Sequence, residues 1–309
     1  MSSPQQYVYV LSTGEDLTYA DLTFLSVLSL KYCEPAARVN VVTDVSTRAV
    51  LKQNDHPLIP LVDGWHEFEV AGNSAERSRL LKTTLRSRIA GQFVFLDADT
   101  VVVDSPAELF KPPHEIAMVQ DQHEGHAYPG FPDWLIPHFQ RLGWSWPTVS
   151  YYNSGVIVVP DDVNTHRLFV EWHERWAEFS RLGMLYDQPA LNYAIQRLET
   201  PVRELPQKFN AMVRVDERYR RDAVILHFFY TAPDDPKSGY TRLLRDIAEK
   251  RALSGREVVE RMTRREALYN PDSVRRQLHA GNFVGAAILW FRKKIRSIFR
   301  RQSASNNAK

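Results

Sequence analysis

Over its first hundred residues the chain alternates short apolar runs with apolar stripes at helical spacing. Residues 7–11 are a run of β-branched and aromatic side chains, which predicts a strand. The polar stretch Ser12-Thr13-Gly14-Glu15-Asp16 follows as a loop, and Leu22, Leu25, Leu28 and Tyr32 then recur on one helical face. Residues 38–43 predict a second strand ending at Asp44, and residues 65–70 a third. Asn73 and Ser74 can cap a helix that runs to Ile89 and stops at Gly91, with Leu81, Leu85 and Ile89 as its apolar stripe. Phe93-Val94-Phe95-Leu96 is a further strand. Strands and helices in alternation predict an α/β fold with a largely parallel sheet covered on both faces.

The middle of the chain breaks this rhythm. Residues 120–150 contain Pro129, Pro132, Pro137 and Pro147 together with Trp134, Trp144 and Trp146. They predict a long irregular insertion, and loops of that length usually serve function. Strand pattern returns over residues 151–160, interrupted by Asn153-Ser154-Gly155. Helices are expected over 164–180 and 187–198, and a last apolar strand carrying His227 over 223–229. Beyond Thr241 the pattern is mostly helical, and no internal repeat is visible.

Composition adds limits. The 309 residues are 44% hydrophobic and 25% charged, enough for a full core in one large domain or two small ones. A single cysteine, Cys33, excludes an intrachain disulfide framework. No apolar run approaches the length of a membrane span, and the first residues lack the features of a signal peptide; both predict a cytoplasmic protein. The net charge of +2 conceals an asymmetry. From Thr241 onward 17 Lys/Arg face 6 Asp/Glu, a balance of +11 that leaves −9 on the first 240 residues. The break divides the sequence into a domain over 1–240 and a basic helical tail over 241–309.

The candidate chemistry begins where the fourth strand stops. Asp97 and Asp99 stand two residues apart at its end, flanking Ala98. In open α/β sheets ligands bind beyond the carboxyl ends of the strands. Carboxylates there suit a hard divalent cation that also touches phosphate oxygens. Surface pairs of this kind also occur without any metal.

Further motifs occur in order: Leu11-Ser12-Thr13 after the first strand, Lys82 upstream of the aspartates, Phe95-Leu96-Asp97-Ala98-Asp99-Thr100, Tyr152-Asn153-Ser154-Gly155-Val156, Asp187-Gln188-Pro189-Ala190-Leu191-Asn192, Leu205-Pro206-Gln207-Lys208-Phe209-Asn210 and Leu226-His227-Phe228. Over residues 7–230 the set resembles the nucleotide-sugar glycosyltransferases of the GT-A fold. Family 8, which includes glycogenin and the bacterial lipopolysaccharide galactosyl- and glucosyltransferases, is the nearest group. The resemblance implies an α/β GT-A architecture: a Rossmann-like mixed, mainly parallel sheet flanked by helices, here with a basic helical C-terminal extension. It implies Mn²⁺ or Mg²⁺ held by Asp97, Asp99 and His227, and a nucleotide-sugar donor of the UDP type. Leu11, Thr13 and Tyr19 would hold the nucleotide, Lys82 the diphosphate, and Ala98 would line the same site. Asn153, Ser154 and Gly155 would line the donor sugar, and Asp187 and Gln188 the reacting face, with retention at the anomeric carbon.

Bland readings stand beside these: His227 as a core histidine, Lys82 as a solvated lysine, Asn153–Gly155 as a plain bulge, and Asp187 as a helix cap. The chain departs from the family after His227, where a short Gly-containing loop usually ends in Lys-Pro-Trp. Lys237 would serve in its place from a longer loop, with a plain surface lysine as the other reading.

Residues 120–150 form the candidate acceptor-side insertion, where Tyr128, Trp134, Trp144 and Trp146 can stack on a sugar or pack as a satellite core. His123 and His126 offer a weak second metal site. In the tail, Ile288, Phe291, Ile295, Ile298 and Phe299 share a helical face beside Arg292, Lys293, Lys294, Arg296, Arg300 and Arg301. That composition over residues 286–301 fits a helix lying on an anionic membrane, at its inner face, near a glycan or lipid-linked acceptor. Docking on its own domain and nucleic-acid binding are the alternatives. Two other functional classes remain open: a nucleotidyltransferase that forms the sugar nucleotide, and a degenerate nucleotide-sugar-binding protein. The first would want a Gly-rich phosphate loop, which Thr13-Gly14-Glu15 does not supply.

Overall fold

The computed structural model describes residues 5–121, 133–145, 150–229, 238–264, 267–269 and 272–306, with side chains up to Lys294 in the last helix. Through the first half the elements run β1 (Gln6–Leu11), α1 (Thr18–Cys33), β2 (Arg38–Asp44), α2 (Val45–Gln53), β3 (Gly64–Phe68), α3 (Ser74–Thr83), α4 (Leu85–Arg88), β4 (Phe93–Leu96), β5 (Thr100–Val102) and β6 (Ala117–Gln120). They continue as α5 (Ile136–Leu142), β7 (Tyr152–Val159), α6 (Val163–Ser180), α7 (Gln188–Arg197), β8 (Arg203–Glu204), β9 (Ala211–Met212) and β10 (Ile225–His227). The C-terminal helices are α8 (Gly239–Ala248), α9 (Gly255–Thr263), α10 (Val274–His279) and α11 (Phe283–Asn306).

The main sheet has the order β3-β2-β1-β4-β7-β6-β8. Only β7 runs against the other six strands. Successive strand side chains point to opposite faces, and both faces are covered. On β1, Tyr7, Tyr9 and Leu11 join one core, while Val8 and Val10 join the other. On β4, Val94 and Leu96 divide from Phe93 and Phe95 in the same way. This explains why these strands read as continuous apolar runs. The order reverses at β1, whose neighbours are β2 and β4, and the crevice beyond that switch point is where a ligand is expected.

A second sheet, β5-β10-β9, is separate from the first. The strand with His227 therefore belongs to it, pairing antiparallel with the segment just after Asp99: His227 lies opposite Thr100. Its core holds Leu22, Leu25, Val101, Leu226 and Phe228 together with Tyr240, Leu243, Val258 and Met262. Packing thus runs across the charge break at Thr241, and α1 lies between the main sheet and the first tail helices.

Several local expectations are corrected. The helix capped by Asn73 ends at Thr83 and not at Ile89. Thr84 leaves helical geometry, and its hydroxyl donates to the Leu80 carbonyl, a back-bond that competes with the helix ladder. The cap itself is a complete capping box, with Asn73 and Glu76 bonding each other's backbone. Asn153-Ser154-Gly155 does not interrupt its strand, since β7 is continuous. The irregularity lies in the pairing: Met118 is opposite Ile157 while Gln120 is opposite Tyr152, so the extra residues of β7 fall at 153–156. The insertion is not wholly irregular either, because α5 lies within it. Trp144, offered as an acceptor platform, is core: it stacks on Tyr193 at 4.4 Å and on Phe179 at 5.7 Å. Trp134 is exposed and lies 5.2 Å from the exposed Tyr186 ring. His123, His126, Tyr128, Trp146 and Lys237 lie outside the described residues.

Candidate active site

The chain turns sharply after β4. The Thr100 hydroxyl and backbone N–H both return to the Asp97 carbonyl, and the Asp97 N–H donates to the Gly155 carbonyl at 2.8 Å. This turn holds both carboxylates at the strand end. The β5–β10 ladder then brings His227 beside them, and the Phe228 N–H donates to the Asp99 carbonyl. His227 Nε2 lies 3.3 Å from Asp99 Oδ1 and 4.0 Å from Asp97 Oδ2. One ligand atom from each of the three residues falls within 4.8 Å of the others.

His227 Nδ1 is already committed to Asn210 Oδ1 at 2.8 Å. A neutral imidazole protonated there points the lone pair of Nε2 at two carboxylates, an arrangement a cation between them would satisfy. The donor set of two carboxylate oxygens and one imidazole nitrogen fits a divalent cation. Gly155 makes room for this imidazole. A Cβ on it would stand 2.7 Å from His227 Nδ1 and 2.9 Å from Asn153 Oδ1.

A cavity of about 390 Å³ opens over these groups. Of the sequence-predicted residues it brings together Leu11, Tyr19, Lys82, Asp97, Ala98, Asp99, Asn153, Ser154, Asp187, Gln188 and His227. Thr13 and Gly155 are not on its wall. Thr13 is buried, with its hydroxyl donating to the Asp16 carbonyl and its own carbonyl accepting from Arg77. It shapes the loop after β1, where Asp44 gathers Ser12, Thr47 and Arg77.

Lys82 is 2% exposed. Its ammonium lies 3.0 Å from Asp97 Oδ1, 3.1 Å from Asp187 Oδ2 and 3.2 Å from Ser154 Oγ. An ammonium has three donors, so Lys82 is fully engaged in holding the two acids. Asp187 precedes α7 but makes no side-chain cap. Its carboxylate turns into the cavity, accepting from Ser154 Oγ at 3.0 Å and pairing with Arg79 Nε at 3.1 Å. Burial works to raise the carboxyl, yet Lys82 and Arg79 hold it below the usual carboxylate range. Asp97 goes the other way: burial raises it, and Asp99 and Asp187 add to the effect against Lys82 and His227. A divalent cation would oppose that rise.

Arg79, Asp121 and Asn210 were not assigned roles from the sequence. Arg79 precedes Lys82 by three residues on α3, a spacing that places both on one face. Asp121 ends the apolar run of β6 just as Asp97 ends that of β4. It is buried and accepts from Gln188 Nε2 at 2.8 Å and from Asn153 Nδ2 at 3.0 Å.

Comparison with known proteins agrees with this geometry. A family model described as nucleotide-diphospho-sugar transferase matches residues 66–240. Among solved structures, the galactosyltransferase LgtC in complex with donor and acceptor sugar analogues superposes with a TM-score of 0.54 at 18% identity, covering 83% of this chain and 100% of its own. GlyE, a glycosyltransferase of Streptococcus pneumoniae TIGR4, has a TM-score of 0.52 at 13% identity, over 83% of this chain and 63% of its own. The bifunctional glycosyltransferase WbbM has a TM-score of 0.51 at 16% identity, over 84% and 52%. A sequence search of curated proteins finds no match. These structural likenesses are likenesses of fold; the family match, which spans more than half of the chain, makes this protein a glycosyltransferase of the nucleotide-diphospho-sugar transferase family, of GT-A fold and close to family 8.

Proposed function

We propose that the protein transfers a sugar from a UDP-sugar to a glycan or lipid-linked acceptor, with retention at the anomeric carbon, using Mn²⁺ or Mg²⁺ held by Asp97, Asp99 and His227. The observation that carries this reading is the convergence of those three side chains at the floor of the cavity, beside Lys82. A cation bound there supplies positive charge at the departing diphosphate. Lys82 keeps Asp97 and Asp187 apart and charge-balanced, and Arg79 presents a second cation to the cavity wall. Preorganised charge of this kind is usually the largest catalytic term. Asp187 and Gln188 stand on the sugar side, and Asp187, held ionised, is the group best placed to face developing positive charge on the sugar ring. UDP as the nucleotide, and retention, rest on the resemblance of the motifs to family 8. The basic tail supports a peripheral place at an anionic membrane on its cytoplasmic side, where lipid-linked acceptors are met.

The test is calorimetric and kinetic. UDP should bind in the presence of Mn²⁺ and weakly or not at all without it, and Asp99→Asn should lose both this binding and most UDP release from UDP-sugars. Equal UDP affinity with and without Mn²⁺, and in Asp99→Asn, overturns the cation site. Binding of UDP-sugar without any release of UDP would instead mark a degenerate binder.

A further inference from the structure

From the cavity wall inward runs a chain of hydrogen-bonded side chains, Gln188, Asp121, Asn153 and Asn210, that ends on His227. Asp121 Oδ2 accepts from Gln188 Nε2 and from Asn153 Nδ2. Gln188 Oε1 in turn accepts from Asn153 Nδ2 at 3.1 Å and from the Ser154 N–H at 3.2 Å. On the other side of the Asn153 amide, Oδ1 accepts from the Gly155 N–H at 2.9 Å and from Asn210 Nδ2 at 2.8 Å. Asn210 Oδ1 then meets His227 Nδ1. Asn210 is fully buried and does not line the cavity.

The polarity of this chain is fixed at both ends of Asn153. A backbone N–H can only donate and a carboxylate oxygen accepts. The Gly155 N–H therefore sets Oδ1 of Asn153 on its side, and Asp121 sets Nδ2 on the other. Asn210 must then offer its NH₂ to Asn153 and its oxygen to His227. Flipping Asn210 would press its amide oxygen against Asn153 Oδ1 and leave two buried acceptors facing each other. An amide oxygen accepts only, so Nδ1 of His227 carries a proton, and Nε2 is the nitrogen left to face a cation between Asp97 and Asp99.

We propose that Asn210 is a positioning residue for the cation site: backed by Asn153 and Asp121, it locks His227 in the Nδ1–H tautomer and fixes its ring, so that one hydrogen-bonded chain sets both the metal ligand and Gln188. The inference rests on the cation reading above and assigns Asn210 no contact with substrate. The side-chain partners of metal-ligating histidines act in this way generally, and their loss weakens metal affinity about 10–100-fold.

Two measurements test it. The first is the ¹⁵N spectrum of the histidine rings in the metal-free full chain, recorded as pH is raised until the His227 ring is neutral, with His227 assigned by the signals lost in His227→Gln. The Nδ1–H tautomer is expected in the parent and a redistribution in Asn210→Ala. The second is Mn²⁺ binding followed by the paramagnetic resonance of free Mn²⁺. Asn210→Ala should bind Mn²⁺ about 10–100-fold more weakly. Asn210→Asp keeps an acceptor for His227, although it adds a negative charge and sets an oxygen against Asn153 Oδ1, and it should recover most of that affinity. A general packing role would make the two variants alike. An Nε2–H tautomer in the parent overturns the proposal, as does a folded Asn210→Ala that binds Mn²⁺ like the parent while the parent itself binds well. If the parent binds no Mn²⁺, the cation reading falls and this proposal with it. Should Asn210→Ala not fold, the parent's tautomer and the Asn210→Asp affinity decide.

Discussion

The carboxylate of Asp187 sits between Lys82 and Arg79 with a hydrogen bond from Ser154, and it is buried together with the Lys82 ammonium. In such surroundings removing one charge matters more than removing one hydrogen bond. Asp187→Asn keeps the shape and can still accept from Ser154. It should reduce UDP-sugar turnover by about 100-fold or more, because charge placed at the reacting centre is lost. UDP affinity in the presence of Mn²⁺ should stay within a few-fold of the parent, since UDP lacks the sugar. Turnover and calorimetry on the same preparation separate the two; parental turnover would remove Asp187 from the mechanism. At this scale the sequence carries most of the residues that line the cavity, because they sit in recognisable motifs. It carries much less of what holds them. Asp121, Arg79 and Asn210 act through partners 17 to 108 positions away in the chain, such as Gln188, Asp187 and His227, and no local spacing records those meetings.

Strand β7 shows how one element serves both packing and site. Its outer half pairs in register with β4, while the extra residues at 153–156 leave the ladder with β6 and turn Asn153 and Ser154 toward the cavity. Gly155, within the same irregularity, gives its space to the His227 ring. Gly155→Ala must therefore shift His227 or β7. Overpacking of this kind costs about 1–3 kcal/mol, and the urea midpoint should fall accordingly. Mn²⁺ affinity should fall as well, which a loss of strand stability alone would not produce. Unchanged Mn²⁺ affinity would show that the ring tolerates the methyl group. The elements that bear long apolar runs or clear stripes were legible: β1, β2, β4, α1, α6 and α7 lie where the pattern puts them, within a few residues. The apolar run over 223–229 announces β10 around His227, although only three of its residues pair, whereas β5, β8 and β9 have two or three residues each, too short for any period to declare itself. Hence the second sheet, and with it the reason His227 reaches the aspartates, emerges only from tertiary pairing.

For the whole molecule, the tail divides into a part that belongs to the core and a part that does not. Helices α8 and α9 share a core with α1 and the small sheet. Helix α11 packs on α10 through the side carrying the buried Ala286. Among the described residues, Val284, Ile288 and Phe291 lie on the opposite side and are 72%, 47% and 59% exposed. The same face continues in sequence through Ile295, Ile298 and Phe299, flanked by six cations between Arg292 and Arg301. No described helix is long and apolar enough to cross a membrane. An apolar face flanked by cations suits a helix that lies on an anionic surface. Basic residues near an anionic surface contribute about 1 kcal/mol each and are screened by salt, with the apolar face adding to them. The full chain should therefore sediment with vesicles rich in anionic lipid, and less so as ionic strength rises. A chain ending at Gly285, and a full-length Ile288→Ser/Phe291→Ser variant, should both lose this binding. Both should keep UDP release from UDP-sugars, because these side chains do not line the cavity. The double variant guards against loss of fold, since it replaces only exposed side chains. Sedimentation equal to the parent in both would refute the membrane role, whereas loss of UDP release or solubility in the double variant would mean that this face serves the fold.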